Sequence, residues 1–178
     1  LRKFVKEKNI SFFIAFLYAA VKAANSVKEF RYRIRGDQVV EHEKVSPSFT
    51  LMTSKDVFSF CEVDFNDSFK VFLEDASKKM NEKKDKVSLE DEPGRDDLLF
   101  ITCIPWVSFT SIAHPIHMHP GDCIPRISWG KYFADHEKIL LPLSVQAHHA
   151  LVDGAHVGEY FMNIQKILDN PEGYLILE

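Results

Sequence analysis

The chain has 178 residues, 46% of them hydrophobic and 27% charged, which suits one globular domain with a sizeable core. Its 22 Lys+Arg against 26 Asp+Glu give a net charge of -4; that offers no broad basic surface for nucleic acid and points to a small-molecule or protein partner. No apolar run approaches the roughly 18 residues of a membrane span, the opening Leu1-Arg2-Lys3-Phe4 is not a secretory signal, and a cytoplasmic protein is expected. Cys61, Cys103 and Cys123 are odd in number and widely spaced, a pattern of reduced thiols rather than of a disulfide framework or zinc site.

Residues 3–8 are mostly charged, and residues 10–24 then run apolar and alanine-rich with almost no polar break. This predicts a helix apolar around most of its circumference, buried or packed on a sheet, with Asn9 or Ser11 as its cap. Residues 30–34 alternate aromatic or aliphatic side chains with arginine, Gly36-Asp37 supplies a turn, and residues 39–42 begin the return. Residues 48–53 and 57–63 read as two more strands joined by Ser54-Lys55-Asp56. Asn66-Asp67-Ser68 starts an amphipathic helix with Phe69, Val71, Phe72, Ala76 and Met80 as its apolar members. Lys, Asp and Glu dominate residues 81–97, as in a solvated loop or frayed helix end. Residues 98–104 are a buried-strand candidate, and residues 124–133 and 139–149 read as two long strands turning at 134–137. The pattern is α+β: a two-layer sandwich, a mixed β-sheet with helices on one face.

The chemistry concentrates in residues 140–154. Apolar and polar positions alternate from Leu143 to Ala147, so Leu143, Val145, Ala147 and His149 are expected on one face of a strand and Ser144, Gln146 and His148 on the other. Asp153-Gly154 then breaks the pattern, and Val157, Tyr160, Phe161, Ile164, Ile167 and Leu168 recur at helical spacing. A histidine on an apolar, half-buried face stays neutral at pH 7 and can take a proton from a hydroxyl or thiol. The competing reading makes His149 a core histidine and Asp153 the cap of the last helix.

His148-His149-Ala150-Leu151-Val152-Asp153-Gly154 matches HHxxxDG, and the chain resembles the chloramphenicol acetyltransferase family of CoA-dependent acyltransferases. Residues 141–146, 104–111 and 30–34 carry the resemblance further, in the same order and at compatible separations. It implies a CoA-dependent acyltransferase-like fold and direct acetyl transfer from acetyl-CoA to a hydroxyl of chloramphenicol or a similar acceptor. No tightly bound cofactor is implied. It also implies a homotrimer with sites between subunits. By the same resemblance His149 is the general base, and Thr102 stands where the family has an oxyanion-binding serine four residues before Trp106. Asp153 matches a structural aspartate that pairs with an arginine of an N-terminal segment this chain is expected to lack, the whole of residues 1–178 being one domain. Ser128 aligns with a threonine holding a water near the oxyanion, and Lys131 and Tyr132 with a pair near the CoA nucleotide. Phe58 aligns with an aromatic wall of the acceptor pocket. His114 falls where the family has an apolar pocket residue, so the pocket is expected to be more polar.

Three alternatives stand beside this reading. A dihydrolipoyl acyltransferase core uses the same base on a thiol, and a non-catalytic trimeric binding protein would account for the altered donor at Thr102. Cys103 as a nucleophile is opposed by strand alternation, which turns it away if Thr102 faces the site. His114, His117 and His119 match no standard metal-site spacing, and no metal is expected.

Overall fold

A computed structural model describes residues 1–53, 57–85, 94–117 and 121–178; the turn expected at Ser54-Lys55-Asp56, part of the charged run, and His119 lie outside them. Five strands, β3 (Ser46–Met52), β4 (Phe58–Glu62), β5 (Leu98–Ile104), β6 (Arg126–Gly130) and β9 (Leu143–Gln146), form a mixed sheet in the order β4-β3-β5-β6-β9. β3, β5 and β6 run parallel, and the two edge strands pair antiparallel to them.

Alternation gives the sheet two unlike faces. Phe49, Ile101, Ile127 and Trp129, each at most 2% exposed, point one way, onto helix α2 (Phe12–Asn25). Phe13 meets Phe49 and Trp129 at ring distances of 5.3 and 5.7 Å, and Phe16 meets Trp129 at 4.9 Å. α2 is flanked by α3 (Phe69–Lys83), which also reaches the edge strand β4, and by α4 (Gly154–Asp169); Tyr18 packs on Phe69 and Phe72. A helix walled on nearly every side has no use for a polar stripe, hence its unbroken apolar run. Ser11 caps it, its hydroxyl accepting from Ile14 N at 3.4 Å. Ser68 caps α3, on which Phe69, Phe72 and Ala76 are buried while Val71 is exposed.

The hairpin of β1 (Tyr32–Arg35) and β2 (Gln38–Glu41) turns through Gly36 at φ 59°. It is anchored by Arg33, which is 0% exposed and donates to the carbonyls of Asp96, Phe30, Tyr32 and Leu98 at 2.6, 3.0, 2.6 and 2.5 Å. Residues 28–31 form a 3₁₀ turn before the hairpin, so the first strand begins two residues later than expected.

The two long strands expected at 124–133 and 139–149 are each broken. β6 stops at Gly130, β7 (Phe133–Asp135) and β8 (Lys138–Leu140) form a separate exposed hairpin, and β9 restarts at Leu143. Pro142 has no N–H to continue a ladder, and at Gly130 the chain of residues 107–109 passes too close for a side chain. Two short helices, α1 (Arg2–Glu7) and α5 (Pro171–Tyr174), complete the fold. Among the described residues no helix is long and apolar enough to cross a membrane.

Candidate active site

The second face of the sheet is polar at its centre. Register places Thr102 opposite Ser128, and Ser128 opposite Ser144, across β5, β6 and β9. Three hydroxyl side chains therefore stand in a row on the face away from the helices. Ser128 is 1% exposed because His114, from the irregular segment after β5, lies over it with Nε2 2.7 Å from the serine Oγ.

Gln146 fixes that histidine. Its Oε1 accepts from His114 N at 2.9 Å and its Nε2 donates to His114 O at 3.2 Å. Burial, and secondly the charge of Arg126, hold the His114 ring below its ordinary pKa. Arg126 is itself paired with Asp122 and lies over the Phe100 ring. Period-2 alternation puts Gln146 on this face, but nothing in the sequence names its partner 32 residues away.

His149 sits elsewhere than the alternation suggests. β9 ends at Gln146, and the chain turns, with Leu151 N and Val152 N both donating to His148 O at 2.9 and 3.0 Å. Once the turn begins, strand parity no longer applies, and His149 is exposed rather than held on the apolar face. Its Nδ1 lies 3.4 Å from Val152 O; a proton there donates to the carbonyl and leaves the Nε2 lone pair free. His148 Nδ1 accepts from Ala150 N at 3.3 Å, within the same turn.

Asp153 is the N-cap of α4. Its carboxylate accepts from Ala155 N at 2.8 Å and His156 N at 3.2 Å, and those bonds lower its pKa. His156 Nδ1 accepts in return from Asp153 N at 3.1 Å, closing a capping box. That nitrogen cannot also carry a proton toward the Asp153 carboxylate, so we read a hydrogen-bonded cap rather than an ion pair. The turn after the histidine pair is thus held by its own helix start.

The other candidates are dispersed. Phe58 is on β4, on the same sheet face as Thr102 but at the far edge, beside Phe60 at 6.0 Å and 49% exposed. Lys131 and Tyr132 lie in the link between β6 and β7, both exposed. The Tyr132 ring is covered by the Arg2 guanidinium at 4.2 Å. Cys103 points to the core side with Trp129, its register partner, and burial raises its pKa, which suits a protonated thiol rather than a nucleophile. Among the described residues no group of three or more His, Cys, Asp or Glu side chains is placed to hold a metal. A cleft of about 1260 Å³ lined by Phe12, Phe16, Phe109, Tyr132, Leu141, Ser144 and Phe161, among others, lies beside these groups and includes neither His149 nor Thr102.

A polar hydroxyl row on a five-stranded mixed sheet, with an HHxxxDG turn leading from its edge strand into a helix, defines a CoA-dependent acyltransferase fold. Solved structures agree. A chloramphenicol acetyltransferase superposes with a TM-score of 0.83 at 24% identity, over 94% of this chain and 82% of that one. The cubic core of the pyruvate dehydrogenase multienzyme complex gives 0.67 at 16% identity, over 98% and 76%. The chloramphenicol acetyltransferase family model matches residues 1–165, and the chloramphenicol acetyltransferase of a Klebsiella species is 28% identical over 172 residues, 96% of this chain and 78% of the relative. The chain belongs to the chloramphenicol acetyltransferase family and is an acyltransferase.

Proposed function

We propose that this chain transfers an acetyl group from acetyl-CoA directly to a hydroxyl of chloramphenicol or a similar small acceptor, with His149 as general base. The observation that carries the reading is the His149 ring, whose Nδ1 faces Val152 O and whose Nε2 is left open in a solvent-facing turn. Nε2 takes the proton from the acceptor hydroxyl as its oxygen attacks the thioester carbonyl, and the proton then passes to the departing CoA sulfur. The Thr102 hydroxyl donates to the oxygen that becomes negative, a contribution of about 3 kcal/mol. Acetyl-CoA is a co-substrate rather than a tightly bound cofactor, and the cytoplasm is where the chain meets it.

Among the described residues no hydrogen bond joins His149 to Thr102 or Ser128, which is compatible with a site shared between copies of the chain. A homotrimer, in which His149 of one copy faces the hydroxyl row of the next, completes it. The exposed apolar side chains on the open face, Met52 at 53% and Phe58 at 49%, support such a contact. His114 beside the row makes the acceptor pocket more polar than an all-apolar one, so chloramphenicol binding is expected to be weak.

Release of CoA thiol from acetyl-CoA, with and without chloramphenicol, tests the reading. His149→Ala is expected to lower kcat by about 10²–10⁴-fold while leaving the fold intact, since the ring is exposed. A variant with full turnover removes the assignment.

A further inference from the structure

The transfer just described makes no use of His114, yet that residue is anchored at three points on the open face. Its backbone is held at both N and O by Gln146, and its Nε2 lies 2.7 Å from Ser128 Oγ. Ser128 is the register partner of Thr102 on the adjacent parallel strand, and paired strands lie about 4.8 Å apart. Two hydroxyls at that separation can both donate to one oxygen about 2.8 Å from each, which is the arrangement that stabilises a tetrahedral oxyanion. The Ser128 hydroxyl has one proton, and it serves there only if that proton is not spent on the imidazole.

We propose that His114 is a positioning residue for the acetyl transfer: its Nε2–H donates to Ser128 Oγ and turns the serine proton toward the oxygen that Thr102 also binds. The proposal rests on the acetyl-transfer reading of this site. Burial and Arg126 keep the ring neutral at pH 7, and Nε2–H is the commoner tautomer of a free neutral imidazole. Among the described residues no acceptor lies within hydrogen-bond reach of Nδ1 to favour the other. The role is absent from the sequence signal because Ser128 and His114 are brought together only by the segment folding back over β6.

His114→Leu removes the donor, His114→Gln keeps an N–H at similar reach, and Ser128→Ala removes the hydroxyl. With acetyl-CoA and chloramphenicol, His114→Leu is expected to lower kcat about tenfold with either KM changed by less than about twofold, and His114→Gln to recover most of the loss. In a Ser128→Ala background His114→Leu has no further effect on kcat. An equal loss in both backgrounds, or a change confined to KM, overturns the proposal. Long-range ¹H–¹⁵N spectra of the wild-type protein read the tautomer without any turnover. A proton on Nε2 supports the proposal, and a proton on Nδ1 overturns it, whatever the His149→Ala variant says about acetyl transfer.

Discussion

Gly130 ends β6 where another part of the chain crosses it. A Cβ built there would lie 2.7 Å from Val107 O, 3.0 Å from Phe109 Cδ1 and 3.0 Å from Pro142 Cγ. The nearest of these, Val107 O, is backbone and is held in place, accepting from Lys131 N at 2.8 Å. Carbon meets a carbonyl oxygen comfortably at about 3.3 Å, so the crossing chain must retreat by roughly half an ångström. Overpacking of this kind costs about 1–3 kcal/mol, and weakening one hydrogen bond adds about 1 kcal/mol. A stiffer unfolded chain returns about 0.4–1 kcal/mol. Gly130→Ala is therefore expected to destabilise by roughly 2 kcal/mol, lowering Tm by about 4–8 °C for a chain of this length. Gly158, exposed inside α4 with nothing within 4 Å of an added Cβ, is the opposite case: Gly158→Ala gains about 1 kcal/mol of helix propensity. Parallel thermal melts compare the two. If Gly130→Ala melts at or above the wild type, the crossing of residues 107–109 over β6 is misplaced, and with it the path that brings His114 onto Ser128.

Thr102→Ala is expected to lower kcat about 10²-fold in the CoA-release assay, with Thr102→Ser retaining most activity; equal kcat values for Thr102→Ala and wild type would remove Thr102 from the mechanism. Tyr160 is 0% exposed, its ring stacked on Phe30 at 5.1 Å, and its hydroxyl has no hydrogen-bond partner among the described residues. Tyr160→Phe keeps the packing and is expected to raise unfolding stability by about 1 kcal/mol in urea titrations; a loss of that size instead would mean the hydroxyl is bonded. The folded His114 pKa lies below its ordinary 6.5, so below that pH the unfolded chain binds a proton the folded chain refuses. Stability then rises with pH up to about 6.5 and levels off above it as far as this group is concerned. Urea midpoints from pH 5 to 8 should show a shallower acid-side slope for His114→Gln than for wild type, and identical slopes would count against the buried neutral ring.

Much of the layer structure was legible because it is local. The run at residues 10–24 could only be a helix enclosed by other elements, and Ser68 with Phe69, Phe72 and Ala76 marked a helix start and its buried stripe. The break at Pro142 was visible in principle, but the break at Gly130 depends on a chain segment more than twenty residues earlier. Helix α1 is not legible, because six residues with Phe4 and Val5 buried are too few to show a period. Alternation misassigns the face of His149 for a different reason: past Gln146 the strand has ended and the backbone turns back on His148 O. The roles of Thr102 and Asp153 were tied to family resemblance. The Asp153 cap follows from ordinary capping rules and stands as the competing reading; its return bond from His156 is the part that such rules do not name, since N3 is usually Glu or Gln.

Arg33 has a consequence for how the β1–β2 hairpin associates with the sheet. Its cation is met inside the protein by four peptide oxygens, two from its own approach and two from the entrance to β5. A guanidinium spreads its donors in a plane wide enough to span them, whereas an ammonium concentrates its charge at one point. Peptide dipoles cannot be neutralised by acid as carboxylates can, so the four hydrogen bonds themselves carry no titratable acceptor. Docking of the hairpin is consequently close to all-or-none: an arginine halfway to its seat would have left water without reaching its oxygens.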